Sequence, residues 1–285
     1  MRRTRKRGPW AEVMHRLVRN KMAMVSLVLV LLICLTAVFA DLIAPYPYDE
    51  IDMTARFELP SWAHPLGTDN YGRDLLSRII YGGRISLLVS LLAVALSFVA
   101  GCVLGATAGY FGGVYEGIVM RVMDMLMAIP MFLLAVSISA ALGTGTFNSA
   151  IAIAVGFLPP STRLMRATVL TVKEQEFIEA ARATGSSQMR IVIKHITPNT
   201  LAPVIVDTTL RIGGAILGIA GLSFIGLGVQ PPIPEWGSIL SAGREYIRDF
   251  WPIVTFPGLA IMITLVAFNL LGDGLRDALD PRLKQ

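Results

Sequence analysis

The chain alternates long apolar runs with short polar connections rich in glycine and proline. Apolar stretches cover residues 22–44, 84–108, 117–142, 147 to Pro159-Pro160, 199–227 and 252–271. Most approach the roughly 20 apolar residues that an α-helix needs to cross a bilayer. The pattern predicts an all-α, polytopic membrane protein with six transmembrane helices. Pro130 predicts a kink in the third span. Gly109-Tyr110-Phe111-Gly112-Gly113 and Gly143-Thr144-Gly145 predict turns after the second and third. The connection before span two carries Pro45, Pro47, Pro60 and Pro65 and is too polar for lipid. Pro159-Pro160 leaves the course of span four open.

Two polar segments carry helical patterns. From Asn70 to Ile80, apolar residues 75, 76, 79 and 80 share one face, and Arg73, Asp74 and Ser77 lie towards the other. This predicts a short amphipathic helix on the outer membrane surface, capped by Asp69 or Asn70 and leading into span two. The second segment is residues 173–198. It starts with good helix formers, Lys173 to Thr184, and Gly185 provides a stop. Pro198 then sits where a new helix can begin. The small pair Ala180-Ala181 permits close approach of a partner backbone, and charges flank it. Two readings stand for these residues alone: a docking helix, or an ordinary amphipathic connector.

Composition agrees with a membrane class. Hydrophobic residues make up 54% of the 285 and charged residues 16%, against about 25% charged in soluble domains. Charge placement predicts orientation. With the N-terminus inside, only Arg56, Arg73, Arg78, Arg84, Arg244 and Arg248 of the 25 lysines and arginines fall outside. Positive charge thus concentrates inside, and both termini are expected in the cytoplasm. The basic N-terminal tail precedes an apolar run, so it reads as a retention signal rather than a nucleic-acid arm. Val38-Phe39-Ala40 imitates a cleavage site, but the apolar run is long for a signal peptide, which predicts an uncleaved span.

Candidate chemistry is sparse. Cys34 and Cys102 lie in apolar runs without metal or disulfide spacing, and the three histidines are dispersed. No Gly-x-x-x-x-Gly-Lys-Ser/Thr loop is present, so this chain is not an ATPase. No catalytic arrangement stands out, which argues against a membrane enzyme. Asp207 and Arg211, four apart, read as a structural ion pair or as pathway lining, and so do Arg121 and Asp124. Gly214, Gly218 and nearby Gly221 predict close helix packing. Asn269 fits either a neighbouring helix or the pathway. A secondary transporter would need internal repeats or ion-coupling carboxylates, neither of which is clear.

Glu179-Ala180-Ala181, then three residues, Gly185, ten residues, and Ile196-Thr197-Pro198 resembles the EAA loop of bacterial ABC importer permeases, with the longer spacing of the peptide and nickel branch. His64-Pro65-Leu66-Gly67-Thr68-Asp69, Gly72-Arg73-Asp74, Tyr81-Gly82 with Arg84, residues 222–232, Glu235-Trp236-Gly237, Gly272 to Asp277 and Leu279-Asp280-Pro281 resemble the same branch, in the same order. The set resembles the C-type permease subunit of dipeptide and oligopeptide importers. Ile219-Ala220-Gly221 stands where many relatives carry an acid, and Pro159-Pro160 where many carry tryptophan.

The resemblance implies the type I ABC importer permease (MetI-like) fold. Residues 1–63 would hold the tail, first span and outer loop, and residues 64–285 a five-helix core. It implies a bilayer-embedded subunit that binds no cofactor, no metal and no nucleic acid. A homologous second permease would complete the pathway. Two cytoplasmic subunits would bind ATP and magnesium, and an extracytoplasmic solute-binding protein would deliver cargo. Phe177, Glu179, Ala180, Ala181, Gly185, Ile196 and Pro198 would form the ATPase-coupling loop. Di- and oligopeptides are the implied cargo, with nickel, glutathione and oligosaccharides as alternatives.

Overall fold

A computed structural model describes residues 9–279, with side chains from residue 14. The basic residues Arg2, Arg3, Arg5, Lys6, Arg7, Arg282 and Lys284 lie outside the described residues. Twelve α-helices are present among the described residues: α1 (Pro9–Arg19), α2 (Lys21–Val38), α3 (Ala40–Ile43), α4 (Leu75–Phe111), α5 (Gly113–Met127), α6 (Met131–Leu142), α7 (Thr146–Val172), α8 (Glu176–Ala183), α9 (Gln188–Arg190), α10 (Thr197–Phe224), α11 (Trp236–Gly243) and α12 (Pro252–Leu279). Helices occupy all six predicted stretches. α2, α4, α12 and the continuous run Gln188–Phe224 are each long and apolar enough to cross a membrane.

The central packing is α4 on α7. Gly101, Gly105 and Gly109, four apart on one face of α4, lie against Ser161, Thr162, Met165 and Val169 of α7. A methyl group at Gly105 would come within 2.5 Å of the Thr162 carbonyl oxygen. Such a small-residue seam lets backbones approach where lipid gives no hydrophobic drive between helices. α7 continues unbroken through Pro159-Pro160, which settles the course of span four. Gly214, Gly218 and Gly221 of α10 pack on Phe157, Ile153 and Phe132, as expected for a packing face. Asn269 lies against Gly213 of α10.

Three expectations need correction. Span three is not one kinked helix: α5 and α6 meet at 93°. Pro130 removes a backbone donor and forces Ile129 out of helical geometry. The expected Arg121–Asp124 pair does not form. Asp124 pairs with Arg163 of α7, and Glu116 with Arg166. Both bonds tie α5 to the second half of α7.

The outer amphipathic helix differs too. α4 starts only at Leu75, with Asp74 rather than Asp69 as its cap: the Asp74 carboxylate accepts from Ser77 N at 2.7 Å. The polar face of this turn is buried under residues 45–69 instead of meeting solvent. Tyr46 N donates to Ser77 Oγ at 3.1 Å, and Arg78 donates to the Tyr48 carbonyl at 3.2 Å. Four-residue periodicity identifies a face, but not the loop that covers it.

Candidate coupling site

The segment that follows α7 forms a small platform. Glu176 and Glu179 stand in the first turn of α8 and Arg182 in its last, each placed favourably for the helix dipole. Its end is a Schellman turn: Ser186 N donates to the Ala181 carbonyl at 3.1 Å and Gly185 N to the Arg182 carbonyl at 2.9 Å. Gly185 sits at φ +75° with nothing within 4 Å of a built Cβ. Conformation, not space, therefore demands glycine. Gly185→Val should cost about 1–3 kcal/mol in backbone strain and lose cargo uptake. Gly185→Asn, which tolerates positive φ, should stay near wild type. Equal uptake by both variants would refute the assignment.

α8 has two faces. Ile178 is fully buried and Ala181 is 8% exposed. They pack with Ile191, Val192 and Ile196, with Met165, Val169 and Val172 of α7, and with Ala106 and Tyr110 of α4. Phe177, Glu179 and Ala180 point outward, and Phe177 is 39% exposed. The small pair is thus divided: Ala180 is open to a partner, and Ala181 fits against the chain's own core. Ile196 also belongs to the buried frame, while Pro198 is exposed.

The new helix begins earlier than Pro198. α9 starts at Gln188 and passes through a π-helical turn, Ile191–Ile196, into α10. Thr197 N donates to the Val192 carbonyl, five residues back. The wider turn accommodates Pro198, which has no N–H to offer. Polar contacts fasten the platform to the end of α4. Lys173 Nζ donates to the Gly109 carbonyl at 3.0 Å, Tyr110 hydrogen-bonds Gln188, and Arg182 lies 5.7 Å from the Tyr110 ring centroid. Contacts from this segment thus reach α4, α7 and α10.

A second fixed point, whose role residue reading alone missed, joins α11 to α4. Glu235 is fully buried. Its carboxylate accepts from Ser86 Oγ at 2.9 Å and from Ser238 N at 3.0 Å, capping α11. Trp236 Nε1 donates to the Ile79 carbonyl at 2.9 Å, and the indole packs against Gly82 and Gly83. The available signal was a lone acid between prolines and an apolar run. Asp207 and Arg211 do pair, at 2.5 Å, and Arg211 also lies 5.5 Å from the Phe157 ring centroid. The pair closes within α10 and against α7. No cluster of His, Cys, Asp or Glu suited to a metal occurs among the described residues.

Residues 101–285 match the family model of the binding-protein-dependent transport system inner membrane component. Residues 8–60 match the N-terminal TM domain of oligopeptide transport permease C. The chain belongs to the binding-protein-dependent transport system inner membrane component family. It is thus a multi-pass, non-catalytic permease subunit of the inner membrane, and ATP hydrolysis falls to partner subunits. A dipeptide transport system permease protein of Escherichia coli K12 is 52% identical over 97% of this permease and 94% of its own length. One from Alkalihalophilus pseudofirmus is 45% identical over 97% and 91%. A glutathione transport system permease protein of Shigella flexneri is 46% identical over 98% and 92%. Among solved structures, an inward-facing methionine ABC transporter matches with a TM-score of 0.57 and 19% identity, over 72% of this permease and 97% of that chain. That likeness carries the MetI-like fold.

Proposed function

We propose that this permease carries di- and oligopeptides inward, paired with a homologous second permease. In this reading an extracytoplasmic binding protein delivers the cargo, and two cytoplasmic ATPases dock on the paired coupling loops. The observation that carries the mechanism is the two-faced α8: Phe177, Glu179 and Ala180 exposed, Ile178 and Ala181 buried in one cluster with the π-helical turn and residues of α4, α7 and α10. ATP-driven closure of the ATPases moves α8, and the platform transmits that motion to α4, α7 and α10. The helices tilt, the pathway opens outward, and hydrolysis resets it. Gly185 fixes where α8 ends, and Ile196 and Pro198 fix how the platform enters α10. Peptide cargo is supported by the names of the relatives, and glutathione is the second reading on the same ground.

Uptake by the complete transporter in proteoliposomes, with its binding protein, decides between them. Dialanine should accumulate in an ATP-dependent way and outcompete glutathione. Accumulation of glutathione alone would reverse the assignment.

Orientation follows from charge. The α8 end carries Arg163, Arg166, Lys173, Arg182, Arg190 and Lys194, and is taken as cytoplasmic. In a background lacking Cys34 and Cys102, cysteine at fully exposed Trp62 should react with an impermeant thiol reagent in intact cells, once any outer membrane is permeabilised. Cysteine at exposed Ser187 should react only after lysis. The opposite pattern would invert the topology.

A further inference from the structure

The end of α4 remote from α8 holds a polar cavity of about 420 Å³. Its volume lies in the range of small-molecule sites. Arg73, Arg78 and Arg244 line it, against a single lining carboxylate, Glu245. Arg73 and Arg78 are 8% and 5% exposed, so their charge is largely removed from bulk water. Asp69, behind the wall, pairs with both but hydrogen-bonds only Arg73. Its carboxylate takes Arg73 Nε at 2.7 Å and the backbone N–H groups of Tyr71 and Arg73 at 2.8 and 3.0 Å. Arg78 Nε stands 3.5 Å away, an ion pair without a hydrogen bond, and Arg78 Nη1 donates to the Tyr48 carbonyl. Asp74 is already engaged by Ser77 and His64. The cavity residue Asn70 likewise has a buried Oδ1 without a partner.

A buried guanidinium that keeps one N–H unmatched is costly. Such a deficit beside a cavity calls for an anion. A carboxylate suits it best, because its two oxygens match the guanidinium fork. A phosphate would match as well but carries more charge than a wall that includes Glu245 favours. The unpartnered Asn70 oxygen adds a need for a donor in the same ligand. Carboxylate and N–H within one small molecule is the pattern of an amino acid or short peptide.

We propose that this cavity is an entry site for the terminal carboxylate of a small peptide, with Arg78 as its principal anchor, Arg244 at its mouth and Asn70 accepting from a cargo N–H. The proposal rests on the peptide-class reading above. It makes the permease itself a second reader of the cargo after the binding protein.

The complete permease–ATPase complex, in nanodiscs and without binding protein, is probed with dialanine by saturation-transfer NMR. Dialanine should give a signal at least fivefold above that of its C-terminal amide, and acetate should compete with it. Arg244→Gln changes an exposed side chain and leaves the buried network in place. It should weaken the dialanine signal at least threefold while leaving that of the amide unchanged. Arg78→Lys keeps the charge but loses the fork and should weaken it further, with folding checked by melting temperature. Equal signals from acid and amide, or a dialanine signal that Arg244→Gln leaves unchanged, would overturn the proposal. So would unchanged dialanine binding in Arg244→Gln with reduced stimulation by the binding protein, which would make the cavity a protein contact. A transporter that takes up no dialanine in proteoliposomes with its binding protein overturns the peptide-class reading and this site with it. One that takes it up but binds acid and amide alike overturns the site alone.

Discussion

An Ala180→Trp variant should reach the membrane in wild-type amounts, lose cargo uptake and release the ATPase subunits on purification. Ala180 is exposed and lies one turn from Phe177 on α8, so the indole has room within the chain. Its bulk is felt only where a partner fits closely. Overpacking there costs about 1–3 kcal/mol, which is roughly a five- to hundredfold loss of affinity. Ala181→Trp should behave differently. That position faces Ile191, Val192 and Ile196, and the added rings would lift α8 from its own platform. Its expected signature is a lower folded yield. Full uptake by Ala180→Trp with the ATPases retained would remove this face of α8 from the mechanism.

Trp236→Ala should be the most damaging truncation outside the platform. The indole is buried, bonded to the Ile79 carbonyl, and in contact with Gly82 and Gly83. Removing a buried aromatic of this size costs about 3–5 kcal/mol, and no larger neighbour side chain stands at those glycines to fill the space. Glu235→Gln keeps the shape and an acceptor for Ser86, so it should cost less. Thermal unfolding in detergent, followed by size-exclusion chromatography, should rank the two variants in that order. An unchanged melting temperature for Trp236→Ala would refute the claim that this contact holds α11 to α4.

The parts of the fold legible in the sequence are those fixed locally. α8 follows from a run of helix formers closed by Gly185, and the glycine face of α10 follows from its spacing. What escaped depends on tertiary partners. Pro130 announces a break by a local rule, but the 93° angle is set with Arg163 and Arg166 holding α5 from across the structure. Asp124 has an eligible cation three residues away and chooses one 39 residues on. The polar turn before α4 has the pattern of a surface helix, yet the chain from Tyr46 to Thr68 covers it. Within the coupling site, the sequence marks Ala180-Ala181 as small, but only the packing of Ile178 and Ala181 on one side shows which alanine is open. Gly101, Gly105 and Gly109 carry the same spacing as Gly214 and Gly218 and form the tighter seam.

The central claim is that the outward face of α8 meets an ATPase. Photo-activatable phenylalanine analogues placed singly at Phe177, Ala180 and Ala181 test it most directly, in membranes containing the assembled transporter. Adducts with the ATPase subunit are expected from positions 177 and 180, increasing or decreasing with nucleotide, and not from 181. No adduct from 177 or 180, in a complex that still transports, would contradict the account.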